Sequence, residues 1–404
     1  MKKSLIAIAI LGAISAPAFA DTTLYGLVDA FVGQASASGK QSVTLISGGG
    51  LATSRLGVKN VEDIGDGWKS LIVLEYRLDN TLNQGVGSGA TNGTTSSVAG
   101  LTPQSGPARQ QVLGLTSADY GTIAAGRLQT TGYDFENTYD PLAGSSVSPL
   151  QNVVSGFNIG TTNAHARANN ALAYISPKIV GGLTLAVNYA LASENVYNTV
   201  GAAGATGNLN GNPSSQVSAT LVSANYAVDA LAVGVVYDKQ SGDKNFNVGG
   251  VANAGLTLNQ TDVALGGSYD FSVVKLFGTY ATHKLDDATG VAGNTDKAYS
   301  LSAAGAAGPG TLVASFGKLK KDSANNAGVS IDQDVTAYTV AYVYNFSKLT
   351  SLYTAYNHLS AGAQGTVAAA AYGTVAGVGD AKASITSLDG GSASIFAIGI
   401  KKSF

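Results

Sequence analysis

Ser394-Ile-Phe-Ala-Ile-Gly-Ile-Lys-Lys-Ser-Phe404 closes the chain and alternates in character to its last residue. Phe396, Ile398, Ile400 and Phe404 share one parity; Ala397, Gly399, Lys401 and Ser403 share the other. A period of two puts these sets on opposite faces of a strand. A terminal strand with an exposed apolar face is an aggregation hazard in water. The hazard disappears if the strand closes a barrel and its apolar face meets lipid.

The other end fits that expectation. Met1-Lys2-Lys3 is basic, Leu5 to Ile14 is apolar, and Ala18-Phe19-Ala20 has the small-x-small form of a cleavage site. Residues 1–20 therefore read as a secretory signal peptide, leaving 21–404 as one domain. Without Lys2 and Lys3, Lys+Arg falls from 23 to 21 against 25 acids, a net charge of −4. So mild an imbalance argues against nucleic acid as a partner. The chain has no cysteine, which excludes a disulfide framework and thiolate chemistry.

Glycine occurs 52 times and tyrosine 19 times, while charged residues make up only 12%. Beyond the leader no run of 18 apolar residues offers a helical span, and Val367–Tyr372 is too short. Closed barrels are the other structure that satisfies every backbone group in hydrocarbon. Alternating segments recur at 22–34, 51–60, 68–78, 109–117, 121–128, 167–176, 183–193 and 216–226, and again at 230–240, 259–270, 273–284, 297–306, 311–321, 333–345, 349–359 and 392–404. These make sixteen candidate strands. Tight turns such as Ala227-Val-Asp229 and Asn345-Phe-Ser-Lys348 alternate with long polar connections, 79–108 and 129–166 among them. Short turns on one rim and long loops on the other is an outer-membrane layout.

Facing follows from parity. Leu183, Leu185, Val187 and Tyr189 oppose Thr184, Ala186 and Asn188; Leu231, Val233, Val235 and Tyr237 oppose Gly234 and Asp238. Mid-strand charges avoid the apolar face, where Lys or Arg costs about 2–4 kcal/mol at the bilayer midplane. Tyrosines at outward strand ends, such as Tyr174, Tyr189, Tyr237 and Tyr338, read as interfacial girdles. On strand 121–128 the outward positions are taken as Thr122, Ala124 and Gly126. Residues that small suit close approach of a neighbouring subunit.

Asp21-Thr-Thr-Leu-Tyr-Gly-Leu-Val-Asp29, Ser54-Arg-Leu-Gly-Val-Lys59, Glu62-Asp-Ile-Gly-Asp-Gly67, Gly121-Thr-Ile-Ala-Ala-Gly-Arg127, Tyr174-Ile-Ser-Pro177 and the terminal Phe404 together resemble the general diffusion porins of Gram-negative outer membranes, in the beta-proteobacterial manner. The resemblance spans the mature chain in its strand and turn blocks but not its long loops. It implies an all-β, 16-stranded transmembrane antiparallel barrel, a homotrimer, and a third long loop folded into the lumen. It implies as partners outer-membrane lipid and lipopolysaccharide, small hydrophilic solutes and ions, and the barrel assembly machinery, which would read Phe404.

All five arginines, Arg55, Arg77, Arg109, Arg127 and Arg167, fall in the first half of the chain and are assigned inward parity. They are expected to gather on one lumen wall, with Lys59, Lys69 and Glu75 as secondary wall residues. Asp134, Glu136 and Asp140 lie on the 129–166 connection, which should fold against that wall. Opposed charges across a constriction set ion preference, and permanently charged arginines favour anions weakly.

The three histidines, His165, His283 and His358, are scattered, with neither a metal-ligand spacing nor a nucleophile and base pairing. Gly85-Val-Gly87-Ser-Gly89 lacks the lysine and helix of a phosphate loop. Asp286-Asp287 and the Asp332/Asp334 pair read as solvated loop-end charges. No catalysis, cofactor or metal is expected, and the function indicated is passive diffusion. A substrate-selective channel for sugars or organic anions and a surface adhesion barrel remain open alternatives.

Overall fold

The computed structural model describes residues 20–38, 41–78, 108–154, 166–193, 217–242, 247–248, 251–252, 259–286, 295–322, 334–362 and 391–404. Most of the expected leader, His165, the Gly85–Gly89 run and Asp287 lie outside them.

Among the described residues there are nineteen strands: β1 (Ala20–Ala37), β2 (Val43–Gly48), β3 (Arg55–Gly65), β4 (Trp68–Arg77), β5 (Ala108–Ser117), β6 (Gly121–Gln129), β7 (Arg167–Ile175), β8 (Leu183–Ser193), β9 (Val217–Val228), β10 (Leu231–Gly242), β11 (Asn247–Val248), β12 (Val251–Ala252), β13 (Asn259–Asp270), β14 (Val274–Asp286), β15 (Thr295–Ala307), β16 (Gly310–Lys320), β17 (Val335–Asn345), β18 (Thr350–Ala361) and β19 (Ser392–Ser403). β11 and β12 form a separate hairpin, and the other 17 form one sheet. All neighbouring strands pair antiparallel, and β1 meets β19, so the sheet closes and leaves no edge.

β2 and β3 are two halves of one stave. The late half of β1 pairs with β2 and its early half with β3. The wall therefore has 16 staves, as the alternation predicts. The segment expected as a strand over 51–60 is corrected here. Its pairing begins only at Arg55, and the missing upper half is supplied by 43–48.

The break between β2 and β3 is held by one carboxylate. Asp29 is fully buried and accepts the backbone N–H of Gly50, Leu51 and Ala52 at 3.0–3.1 Å. Tyr353 donates its hydroxyl to Asp29 Oδ1 at 2.6 Å from β18. Three backbone donors satisfied by one side chain are what let a non-strand segment sit inside the wall.

The terminal residue completes the seal. Gly26 and Phe404 exchange both backbone hydrogen bonds at 3.0 and 3.1 Å. Phe396, Ile398 and Ile400 are exposed on the outer face while Ile395 and Ala397 are buried, as the opening alternation requires. The same division holds for Leu185 and Tyr189 against Asn188, and for Val233 and Tyr237 against Val236 and Asp238.

The lumen is not empty. After β6, residues 130–154 turn inward and carry the helices α1 (Thr131–Tyr139) and α2 (Pro149–Val153). Thr130 caps α1 by accepting the Tyr133 N–H, and Ser148 caps α2 through the Gln151 N–H, with Pro149 in its first turn. α1 packs on β8 to β10, β13 and β14, and α2 on β15 to β17. The loop buries Phe135, Tyr139, Leu142, Val147, Leu150 and Val153 against wall residues such as Val236, Ala264, Ala298 and Ala337. That apolar seat forms because the wall presents small side chains here. At Gly266 a Cβ would stand 2.5 Å from the Tyr139 ring, and at Gly317 it would stand 2.9 Å from the Pro149 carbonyl oxygen.

Candidate functional site

Polar tethers fix the inserted loop. Asn188 accepts the Thr131 N–H at 2.7 Å, and Tyr139 donates to Asn225 at 3.2 Å. At the far end Thr339 donates to the Val147 carbonyl at 2.6 Å, and Asn357 reaches Asn152 at 3.3 Å. Ser146 donates both its N–H and its hydroxyl to the Gly49 carbonyl in the strand break. Buried, satisfied polar groups of this kind hold one conformation. The loop thus lies along the inner wall from β8 to β18.

The arginines occupy the other part of the circumference, on β3 to β7. Arg55 and Arg77 are cross-strand partners, and Glu75 precedes Arg77 on the same inward parity. The Glu75 carboxylate is buried and central. It takes the Arg109 Nε at 2.5 Å, the Tyr25 hydroxyl at 3.1 Å and an ion pair with Arg55 Nε at 3.8 Å. Arg109 also donates to the Tyr133 hydroxyl at 3.4 Å, linking wall to loop. Arg167 lies over the other side of Tyr133, with its Cζ 4.7 Å from the ring centroid. Its Nε and Nη2 are buried and have no hydrogen-bond acceptor among the described residues. Arg127 donates to the Ala108 carbonyl and to Asn169, and is close enough to Arg109 and Arg167 for mutual repulsion.

Two of these positions do not follow from simple alternation. Leu113 and Leu115 face outward, so an unbroken β5 would carry Arg109 to the lipid side. A register shift opposite Glu75 and Tyr76 inserts one residue there, and Arg109 turns in to meet Glu75. A bulge reverses facing beyond it because two residues oppose one. The pairing of β6 with β7 also shifts between Gly126 and Leu128, just before Arg127, and Gly126 has φ +126°, a backbone shape that only glycine adopts freely.

The facing of β6 corrects the expectation for Thr122, Ala124 and Gly126. Ala124 is buried and Thr122 bonds inward-facing Thr116 at 2.8 Å, whereas Ile123 and Ala125 are exposed on the outer face. Counting parity across the Gly126 bulge inverted the assignment. The small residues belong to the inner wall and do not form the outer surface.

The loop acids also depart from expectation. Asp134 is exposed and bonds Gln129 at 2.5 Å, near Arg167. Glu136 and Asp140 are 1% and 3% exposed, buried within the loop packing, and so do not face the arginines across water. Asp140 accepts the Leu142 N–H at 2.9 Å and the Ser148 hydroxyl, which makes it a brace between the two helices. Burial pushes its carboxyl up to about 6, against the pull of those two bonds. Lys59 and Lys69 are exposed; Lys59 faces Val73, two residues from Glu75 on the same face, whereas Lys69 lies beside the short turn.

Tyr25, Tyr133 and the Asp29–Tyr353 brace were not singled out by sequence. Asp29 carried the one available signal, an acid at an inward position between Leu27 and Phe31. Of the histidines, His283 bonds Asp262 at 2.6 Å and His358 bonds Ser394 at 2.7 Å. Ser394 also accepts Tyr356, and His358 and Ser394 are direct cross-strand partners, which accounts for their contact.

A family profile described as Gram-negative porin matches residues 6–364. Outer membrane porin protein 32 of Delftia acidovorans is 28% identical over 359 residues, covering 87% of this chain and 88% of that protein. Among solved structures, an anion-selective porin from Comamonas acidovorans superposes with a TM-score of 0.67 at 23% identity, covering 95% of this chain and 100% of the other. OmpT of Vibrio cholerae, in trimer form, gives 0.63 at 15% identity over 95% and 99%. A closed 16-stave barrel, an inserted loop and these matches lead to one assignment: the chain belongs to the Gram-negative porin family.

Proposed function

We propose that this protein is a passive outer-membrane channel for small hydrophilic solutes and ions, with a weak preference for anions. The observation that carries the proposal is the charge imbalance around Glu75. Arg55, Arg109 and Arg167 gather about one buried carboxylate, with Arg77 opposite Arg55 and Arg127 beside Arg109, while Glu136 and Asp140 are turned away into the loop. Guanidinium charge is permanent at any accessible pH, so the wall stays positive. Tyr133 contacts Arg109 and Arg167, and the Tyr25 hydroxyl holds the Glu75 carboxylate between Arg55 and Arg109, so that the charge is presented in a fixed geometry. The name of the Comamonas porin, anion-selective, agrees with this sign.

The channel is formed by cleavage after Ala20 and works as a homotrimer, with the Vibrio trimer as the nearest support for the assembly. Phe404, exposed at the short-turn rim, is the element offered to the assembly machinery. Solutes pass between the arginine wall and the inserted loop without catalysis or cofactor. Planar-bilayer recording in a potassium chloride gradient tests the proposal. Stepwise conductance with a reversal potential toward chloride supports it, and a cation-selective reversal potential rejects the sign.

A further inference from the structure

The break between β2 and β3 holds more than the wall. β1 pairs with β2 from Ala30 to Ala35 and with β3 from Ala20 to Leu27. Residues 49–54 therefore stand opposite Val28 and Asp29 alone, and the surplus chain folds toward the lumen. A Cβ on Gly50 would strike the Tyr353 hydroxyl and the Phe31 ring, both at inward positions. One residue gathers this segment. The Asp29 carboxylate takes the N–H groups of Gly50, Leu51 and Ala52 and the Tyr353 hydroxyl. The Asp29 N–H donates to Ser54 Oγ at 2.9 Å, and the Ser54 hydroxyl donates to the Asp29 carbonyl at 3.2 Å.

Two parts of the channel are anchored at the ends of the segment. At its start the Gly49 carbonyl accepts the Ser146 N–H at 3.1 Å and the Ser146 hydroxyl at 3.0 Å, in the bend between α1 and α2. At its end Ser54 leads directly into Arg55, and the Ser54 carbonyl accepts the Leu78 N–H at 2.9 Å, beside Arg77. Arg55 and Arg77 are themselves cross-strand partners. The inserted loop and this arginine pair thus share one anchor. Asp29 is fully buried, so it acts only through what it holds.

We propose that Asp29 is a positioning residue for permeation: through residues 49–54 it fixes the inserted loop relative to Arg55 and Arg77. This rests on the reading of the protein as an ion-conducting channel. A broken strand needs only that its free N–H groups find acceptors, and lumen water would serve for that. A buried carboxylate is a stronger acceptor than water and holds its donors in one geometry. Tyr353 brings β18 into the same network, which makes the seat of the loop depend on strands from both ends of the chain. Because Gly49 and Ser54 are held together, the loop and the arginines keep one separation.

Single-channel recording of the refolded, full-length protein tests the proposal. D29N sets an amide NH2 against backbone donors, while Y353F and S146A cut the same chain of contacts at its two ends without changing charge. All three should shorten the dwell time of the fully open state and add sub-conductance steps, with D29N the largest effect, on the order of tenfold. D29N and S146A act on one path, so the double variant should show much less than the product of the two effects. A role for Asp29 in wall stability alone would alter heat-modifiable mobility without that non-additivity. Wild-type dwell times in both Y353F and S146A, or independent effects of D29N and S146A, overturn the proposal. If D29N does not refold, Y353F and S146A decide it, since both leave the carboxylate and its three backbone donors in place. Wild-type conductance with unaltered variants removes the positioning role alone, whereas a wild type that does not conduct removes the channel reading itself.

Discussion

Glu75 is the one residue whose replacement separates the electrostatic account from a purely structural one. Glu75→Gln keeps the side-chain shape and lets the amide oxygen still accept from Arg109, but it deletes the negative charge held between Arg109 and Arg55. An ion passing roughly 8 Å away then sees one more unit of positive charge. That is about 0.5 kcal/mol in bulk water and about 2 kcal/mol at an effective dielectric constant of 20. Each energy lowers chloride and raises potassium by the same amount, so the chloride over potassium preference shifts by twice it, factors of about 6 and about 1,000. Salt at 0.1 M, with a screening length of about 10 Å, pulls the result toward the lower figure. In a tenfold gradient the reversal potential should move toward the chloride limit of about 59 mV. The two side chains are 9% and 6% exposed, so breaking the pair also costs about 3–5 kcal/mol locally. Heat-modifiable mobility on gels monitors that loss separately. A reversal potential that stays in place, or that moves toward potassium, refutes the claim that this cluster sets the field seen by permeant ions.

Three further outcomes are expected. Gly266→Leu puts a side chain where the Tyr139 ring already lies, so it should push α1 off its seat and lower single-channel conductance; unchanged conductance with intact folding would show that the loop can give way freely. Because burial raises the Asp140 carboxyl from 3.8 to about 6, the packed loop is most stable below pH 4 and loses on the order of 3 kcal/mol as pH rises through 6. Thermal melts should therefore fall between about pH 4 and pH 6.5 and level off above that, and Asp140→Asn should flatten that slope. Sequencing the amino terminus of protein isolated from outer membranes should begin at Asp21, and any other start corrects the cleavage site.

Much of the barrel was legible in residue order because a strand buried on one face and wetted on the other must alternate. The closing segment 394–404, the stave count and the two rims all follow from that period. Arg55 and Glu75 were legible as inward charges from the parity of their strands, because a mid-bilayer arginine on the lipid face is costly. The failures fall where the period breaks. Thr122, Ala124 and Gly126 were turned the wrong way, and Arg109 faces in only because a bulge reverses its strand.

The sequence by itself determined that this chain closes into a membrane barrel, since alternation is a local property and every outward position must tolerate lipid. The inserted loop was expected from the resemblance, but only the tertiary structure decided how it seats and which of its charges face water. Glu136 and Asp140 look like pore charges in isolation, yet the glycine and alanine shelf around Gly266, Ala264 and Gly317 lets the loop sink into the wall and buries them. That shelf is built from residues far apart in the chain. Their small size becomes a seat only when β10 to β17 stand side by side and the loop returns across them.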